Sequence, residues 1–107
     1  MKHFATQAIH AAYHPKNNQG ALTPPIHISS TYAFDSVEQG GAAFQGDNDH
    51  FIYARLGSPS QQLLEQRLAT LEQAEAALVT ASGMGAITAT LWSMVKPGDE
   101  IIADLSL

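Results

Sequence analysis

The sequence predicts an α/β fold: a largely irregular N-terminal arm over residues 1–59 and, over residues 60–107, the beginning of an α/β domain that reaches its first βαβ unit only. Three observations carry that reading. Residues 1–59 hold all five histidines, four of the five prolines and five of the eight glycines, so the two parts differ in grammar. The second part alternates a helical period with short runs containing β-branched residues, in the order helix, strand, helix, strand, which ends in a parallel crossover unit. Only 14% of the 107 residues are charged, against roughly 25% in an average soluble chain, so much of the surface is expected to lie under more chain or another subunit.

Within the arm, the pattern predicts a turn or two of helix capped by Thr6, running through Ile9 and Ala12 and ended by Pro15. Residues 21–31, with Pro24-Pro25 and a run of small and β-branched residues, read as extended chain. A short helix over 37–44 is capped by Asp35 or Ser36, and weakened at Gly40 and Gly41 by roughly 1 kcal/mol each relative to Ala. So much irregular chain suits an arm that lies on something else.

From Ser58 the signals sharpen. Ser58 serves as N-cap, Pro59 as first helical residue and Gln61 as capping-box partner. Leu64, Leu68 and Leu71 recur at i, i+4, i+7 with Leu63 beside them, while Glu65, Gln66 and Glu72 lie off that stripe, giving an amphipathic helix to about Gln73. Residues 76–80 (AALVT) read as a buried strand and Ser82-Gly83-Met84-Gly85 as a turn. A second helix follows with Met84, Ile87, Leu91 and Val95 on one stripe, where Trp92 and Met94 are expected in the core. Lys96-Pro97-Gly98-Asp99 ends it, and residues 100–103 (EIIA) begin another strand. Two strands alone make no stable parallel sheet, and the chain stops at Leu107 without a capping or turn signal, as a chain that is expected to continue would.

Composition excludes several classes. Ten acidic residues against five basic ones give a net charge of −5, which argues against nucleic acid or an anionic membrane as partner. Without cysteine there is no disulfide framework, thiolate nucleophile or Cys-based zinc site. Neither a signal peptide nor an apolar run of membrane-spanning length is visible, so a cytoplasmic location is expected. His10 and His14 have the i, i+4 spacing of paired metal ligands, but Pro15 limits that helix and no third ligand is evident, so no metal site is assigned.

Two places carry chemistry. Ser82-Gly83-Met84-Gly85 opens a helix after a strand, where free N–H groups and the helix dipole suit a phosphate and glycine admits its close approach. It is not a P-loop, since no Gly-Lys-Ser/Thr follows. Gly83-x-Gly85-x-x-Thr88, with Asp104 about 20 residues on, approximates a dinucleotide fingerprint, although Thr88 is bulky for its place. Tyr53-Ala54-Arg55 sets a phenol and a guanidinium two apart in extended chain, on one side, as a second phosphate-binding pair. A plain tight turn at 82–85 and a surface Arg beside a packed Tyr are the alternatives.

Taken together, Phe4 to His10, Gly20-Ala21-Leu22 with Pro24-Pro25-Ile26, Ser30-Thr31-Tyr32, Tyr53-Ala54-Arg55, Leu71-Glu72 through Glu75-Ala76, Ala81 to Ile87 and Pro97-Gly98-Asp99-Glu100 resemble, in order and spacing, the N-terminal segment of the pyridoxal-phosphate enzymes of cysteine and methionine metabolism. The resemblance covers essentially the whole chain. It implies a fold-type I, aminotransferase-like architecture in which a mobile arm leads into a large pyridoxal-phosphate-binding α/β domain, in homotetramers built as dimers of dimers. It implies pyridoxal 5'-phosphate as cofactor, its phosphate held at Ser82, Gly83 and Met84 in one subunit and by Tyr53 and Arg55 reaching from the neighbour. It further implies a carbon–sulfur lyase of sulfur amino acids, removing the γ-thiolate of methionine to give methanethiol, 2-oxobutanoate and ammonia. Members that form or cleave cystathionine, or sulfhydrylate O-acetylhomoserine, share most of these marks. Ser58-Pro59-Ser60 departs from the family's Asn-Pro-Thr. The chain holds only Lys2, Lys16 and Lys96, none matching the family's Schiff-base lysine, so no catalytic residue is assigned and the segment alone is expected to be inactive. A non-catalytic segment that docks on a full-length relative is the alternative from another class.

Overall fold

The computed structural model describes residues 3–106. Four α-helices follow in order: α1 (Phe4–His10), α2 (Val37–Gln45), α3 (Pro59–Glu72) and α4 (Gly83–Met94), with one 3-10 turn at Pro15–Asn18. Sequence and structure agree best at the three later helix starts. Ser36, Ser58 and Ser82 each sit in extended backbone and accept the N–H of the residue three on, satisfying one of the orphan donors of a first turn. Ser36, not Asp35, caps α2, while the Asp35 N–H donates to Gln39 Oε1 at 2.6 Å. α2 closes through Gly46, at φ +79°, and α3 through Gln73 in the same left-handed region.

Other expectations need correction. α1 begins at Phe4 behind His3, whose carbonyl accepts the Gln7 N–H, so Thr6 lies inside the helix and caps nothing. α1 ends at His10, with Ala11 already extended, so it stops short of Ala12 and of Pro15, which instead starts the 3-10 turn, as its fixed φ favours. Gln61 does not complete a capping box, because its amide nitrogen donates forward to the Glu65 carboxylate at 3.0 Å. No β-strand forms among the described residues, so they do not show the expected βαβ unit. Residues 76–80 and 100–103 run without ladder partners, since a parallel strand needs neighbours to take its N–H and C=O groups. The one β-bridge described is antiparallel, Thr31 to Tyr53 in the arm.

α3 ties the rest together. It packs on α1, the only pair of helices in contact among the described residues, and Arg67 Nε donates to the Ala11 carbonyl at 3.0 Å. Near its start, Ser60 Oγ accepts the His27 N–H at 2.9 Å. From mid-helix, Glu65 accepts the Val79 N–H at 3.0 Å. The leucine stripe turns less inward than expected, with Leu64 and Leu68 both exposed.

α4 stands apart. None of its residues comes within 8 Å, Cα to Cα, of another helix. Its apolar residues are therefore uncovered: Trp92 is 84% exposed and Met94 76%, which corrects their placement in a core. The only buried apolar side chain described is Ala43, in α2. The chain exposes 9195 Å², against about 5,800 Å² expected for a self-contained fold of this mass. Its radius of gyration is 17.8 Å, where about 13 Å is usual for this length.

Four outcomes follow from this architecture. The isolated chain melts over a broad range without a sharp calorimetric endotherm, because too little apolar area is buried to offset roughly 1–2 kcal/mol of backbone entropy per residue; a cooperative transition would contradict this. Gly41→Ala stabilises α2 by about 0.5–1 kcal/mol, read as slower amide exchange, because its Cβ enters open space. Gly40→Ala gains less, as its Cβ would lie 3.3 Å from the Phe34 ring. In α2, its own backbone N–H and Ser36 hold the Glu38 carboxyl below its ordinary range. That contribution is present at neutral pH and lost as pH falls through the carboxylate range, so α2 amide exchange quickens on acidification.

Candidate phosphate-binding site

At the start of α4, the Ser82 Oγ accepts the Gly85 N–H at 3.0 Å, and the Ser82 carbonyl accepts the Ala86 N–H at 3.1 Å. Thr80 Oγ1 donates to the same carbonyl at 2.7 Å, fixing the approach of the preceding chain. Among the described residues the N–H groups of Gly83 and Met84 find no acceptor, and the Ser82 hydroxyl keeps its hydrogen free to donate. No acidic residue stands in the first turn. A Cβ at Gly83 would meet nothing within 4 Å, whereas one at Gly85 would lie 3.2 Å from Ser82 Oγ. Gly85 thus keeps the cap tight, and the space in front of Gly83 stays open. Two free N–H donors, a hydroxyl and no competing carboxylate fit the phosphate of a cofactor.

The second group is built by the arm. Chain 30–32 pairs with 52–54: the Tyr32 N–H donates to the Ile52 carbonyl at 3.3 Å and the Ala54 N–H to the Ser30 carbonyl at 2.9 Å. The chain then turns, with the Tyr53 carbonyl accepting from Leu56 at 2.8 Å and Gly57 at 3.3 Å. Strand alternation is therefore not what brings Tyr53 and Arg55 together. The turn folds Arg55 back, its Cζ 5.0 Å from the Tyr53 ring centroid, so the cation lies over the aromatic face. Phenol and guanidinium end up side by side, as the spacing suggested, by a different route.

The two groups are not joined within this chain. Tyr53 walls a depression of about 170 Å³ with Phe51, Ile52 and Leu56, to which residues 82–84 contribute nothing. Neither Tyr32, named above only as a mark of the resemblance, nor Phe51 is expected at the site from local pattern, yet their rings lie 5.5 Å apart beside the bridge; two aromatics in extended arm segments were the available signal. The remaining candidates separate too. His10 ends α1 while His14 precedes the 3-10 turn, so they share no helix face, and no group of three metal-binding side chains occurs among the described residues. Asp104, the acid of the dinucleotide pattern, is engaged locally. Its carboxylate accepts the Ser106 hydroxyl and N–H, which holds it below its ordinary range. Lys16 lies in the 3-10 turn and Lys96 in the turn after α4; Lys2 is outside the described residues. No described helix is long and apolar enough to cross a membrane.

A cofactor phosphate at a helix start, with a tyrosine–arginine pair on an arm, is an arrangement suited to fold-type I pyridoxal-phosphate enzymes. The chain belongs to the Cys/Met metabolism PLP-dependent enzyme family, whose sequence model matches residues 5–107. It is 50% identical over 99 residues to the L-methionine gamma-lyase of Pseudomonas putida, covering 92% of this chain and 25% of that protein. The cystathionine gamma-synthase of Mycobacterium bovis is 42% identical, over 92% of this chain and 24% of its own length. Among solved structures, the O-acetylhomoserine (thiol)-lyase of Campylobacter jejuni, which carries a pyridoxyl-lysine phosphate, superposes with a TM-score of 0.83 at 32% identity, over 92% of this chain and 24% of that one. The chain thus spans about a quarter of the length of these relatives.

Because the Ser82 hydroxyl is both the cap of α4 and one of three anion donors, Ser82→Ala and Ser82→Asp should divide. Ser82→Ala costs α4 about 1 kcal/mol of local stability, seen as faster exchange at Gly85 and Ala86. Ser82→Asp preserves the cap yet places a carboxylate beside the open donors, so exchange stays slow while phosphate binding is lost.

Proposed function

We propose that this chain is the cofactor-anchoring N-terminal quarter of a pyridoxal-phosphate-dependent carbon–sulfur lyase acting on methionine, releasing methanethiol, 2-oxobutanoate and ammonia with consumption of water. The observation that carries it is the 50% identity to a methionine γ-lyase across nearly the whole chain, supported by a helix start with two free N–H donors and no first-turn carboxylate.

In this reading Ser82, Gly83 and Met84 bind the phosphate of their own subunit, through the hydroxyl and the two backbone N–H groups. Tyr53 and Arg55 bind it from the neighbouring subunit of a dimer within a dimer of dimers, the guanidinium as a two-pronged donor and the phenol as a third. That division explains why one chain carries both groups without joining them. Bound pyridoxal phosphate supplies an electron sink for negative charge developing on the substrate's carbons. The segment's own work is to fix the cofactor's far end so that its reactive end is oriented. Proton transfer falls to a lysine elsewhere in the complete enzyme, and the 107 residues alone release no methanethiol.

A second reading has its own support in the 42% identity to a cystathionine γ-synthase. The complete enzyme given methionine alone separates them. Release of thiol and 2-oxobutanoate supports the lyase, whereas inertness toward methionine with condensation of an acylated homoserine and cysteine establishes the synthase. In the same holoenzyme, Arg55→Ala weakens pyridoxal phosphate binding about tenfold or more and Arg55→Lys less, since a lysine offers one point charge in place of a fork. Equal affinity of Arg55→Ala and the unaltered protein in cofactor titration would remove Arg55 from the site.

A further inference from the structure

We propose that Tyr32 is a positioning residue for the phosphate-binding pair Tyr53 and Arg55, acting through Phe51 and Ile52 without touching the cofactor; the inference rests on the phosphate reading given above. The Thr31–Tyr53 bridge is isolated, with only two backbone hydrogen bonds beside it, Tyr32 N–H to Ile52 and Ala54 N–H to Ser30. So short a ladder in water is marginal by itself and needs side-chain packing to persist. Tyr32 supplies both kinds of contact. Its N–H makes one of the two bonds, and its ring lies against Phe51, with centroids 5.5 Å apart and planes tilted by 38°. Phe51 in turn faces the turn that follows Tyr53, its Cε1 4.0 Å from where a Cβ on Gly57 would stand. The aromatic pair therefore braces the bridge that holds Tyr53 and the turn that folds Arg55 over its ring.

The hydroxyl of Tyr32 separates positioning from direct binding. It is cut off from solvent and has no hydrogen-bond partner. A buried, unsatisfied hydroxyl contributes nothing favourable to the arm, so the ring alone does the bracing. Phenylalanine should then replace Tyr32 fully, while alanine should not.

The test is cofactor titration of the complete holoenzyme after removal of pyridoxal phosphate, comparing Tyr32→Ala, Tyr32→Phe, Phe51→Leu and Arg55→Ala. Tyr32→Ala is expected to raise the cofactor dissociation constant about tenfold, with kcat restored by excess cofactor, and Tyr32→Phe to return it to the unaltered value. Should Tyr32→Ala fail to fold, Phe51→Leu, which removes the ring contact but keeps an apolar side chain, is expected to weaken binding in the same way. Unchanged affinity in Tyr32→Ala or Phe51→Leu, while Arg55→Ala binds weakly, overturns the positioning role and leaves the phosphate reading intact. Weakening in Tyr32→Phe equal to that in Tyr32→Ala overturns it too, because the hydroxyl would then be the contact. If Arg55→Ala also binds normally, the phosphate reading falls and this inference with it.

Discussion

Three hydrogen bonds from α3 to chain far away in sequence hold this molecule in register. Arg67 grips the carbonyl that follows α1, Ser60 takes a backbone N–H of the extended arm, and Glu65 takes one from the segment ahead of α4. Each bond pairs a helix side chain with a backbone group that has no ladder partner. Backbone groups left unpaired cost free energy wherever water is excluded, and side chains of one rigid helix meet that cost at several points at once. The price is visible at Arg67, whose Nη2 is buried without a partner.

The side beyond α3 is governed by what is missing around it. α4 is apolar on most of its surface and touches no other helix, and the flanking segments have the composition of strands without strand partners. A helix hydrophobic all round is one meant to be buried. Parallel strands are likewise stable only when covered on both faces. The large exposed area and extended shape are the sum of these two local facts, and they agree with a chain that spans a quarter of its relatives' length.

The two elements proposed to bind phosphate have opposite physical characters. The α4 start is local: a serine cap, two glycines and a helix dipole lie within four consecutive residues, so it forms wherever the helix forms. The arm's Tyr53–Arg55 pair is non-local, depending on residues more than 20 positions upstream through one bridge and one aromatic contact. On the function proposed above, a local donor set on one subunit completed by a braced arm from another would make cofactor retention sensitive to assembly.

Much of this was legible in the sequence because caps are local. Ser58, the choice of Asp35 or Ser36, and the turn at 82–85 marked three helix starts, since a hydroxyl and an N–H three residues apart need no other part of the chain to meet. The family was legible for a related reason: its marks are short motifs in order, and order survives without a fold. What only the tertiary structure decided were contacts between distant segments. Glu65 and Gln61, which look like surface polar residues on a helix, are engaged with Val79 and with each other. Of the leucine stripe, Leu63 and Leu71 are half-buried while Leu64 and Leu68 remain exposed, because periodicity names a face but cannot supply the element that covers it. Tyr53 and Arg55 converge through a turn and a cation–aromatic contact where alternation alone suggested a strand. Hydrogen bonds within one turn are written in adjacent residues, whereas burial and strand pairing depend on partners that no local pattern specifies.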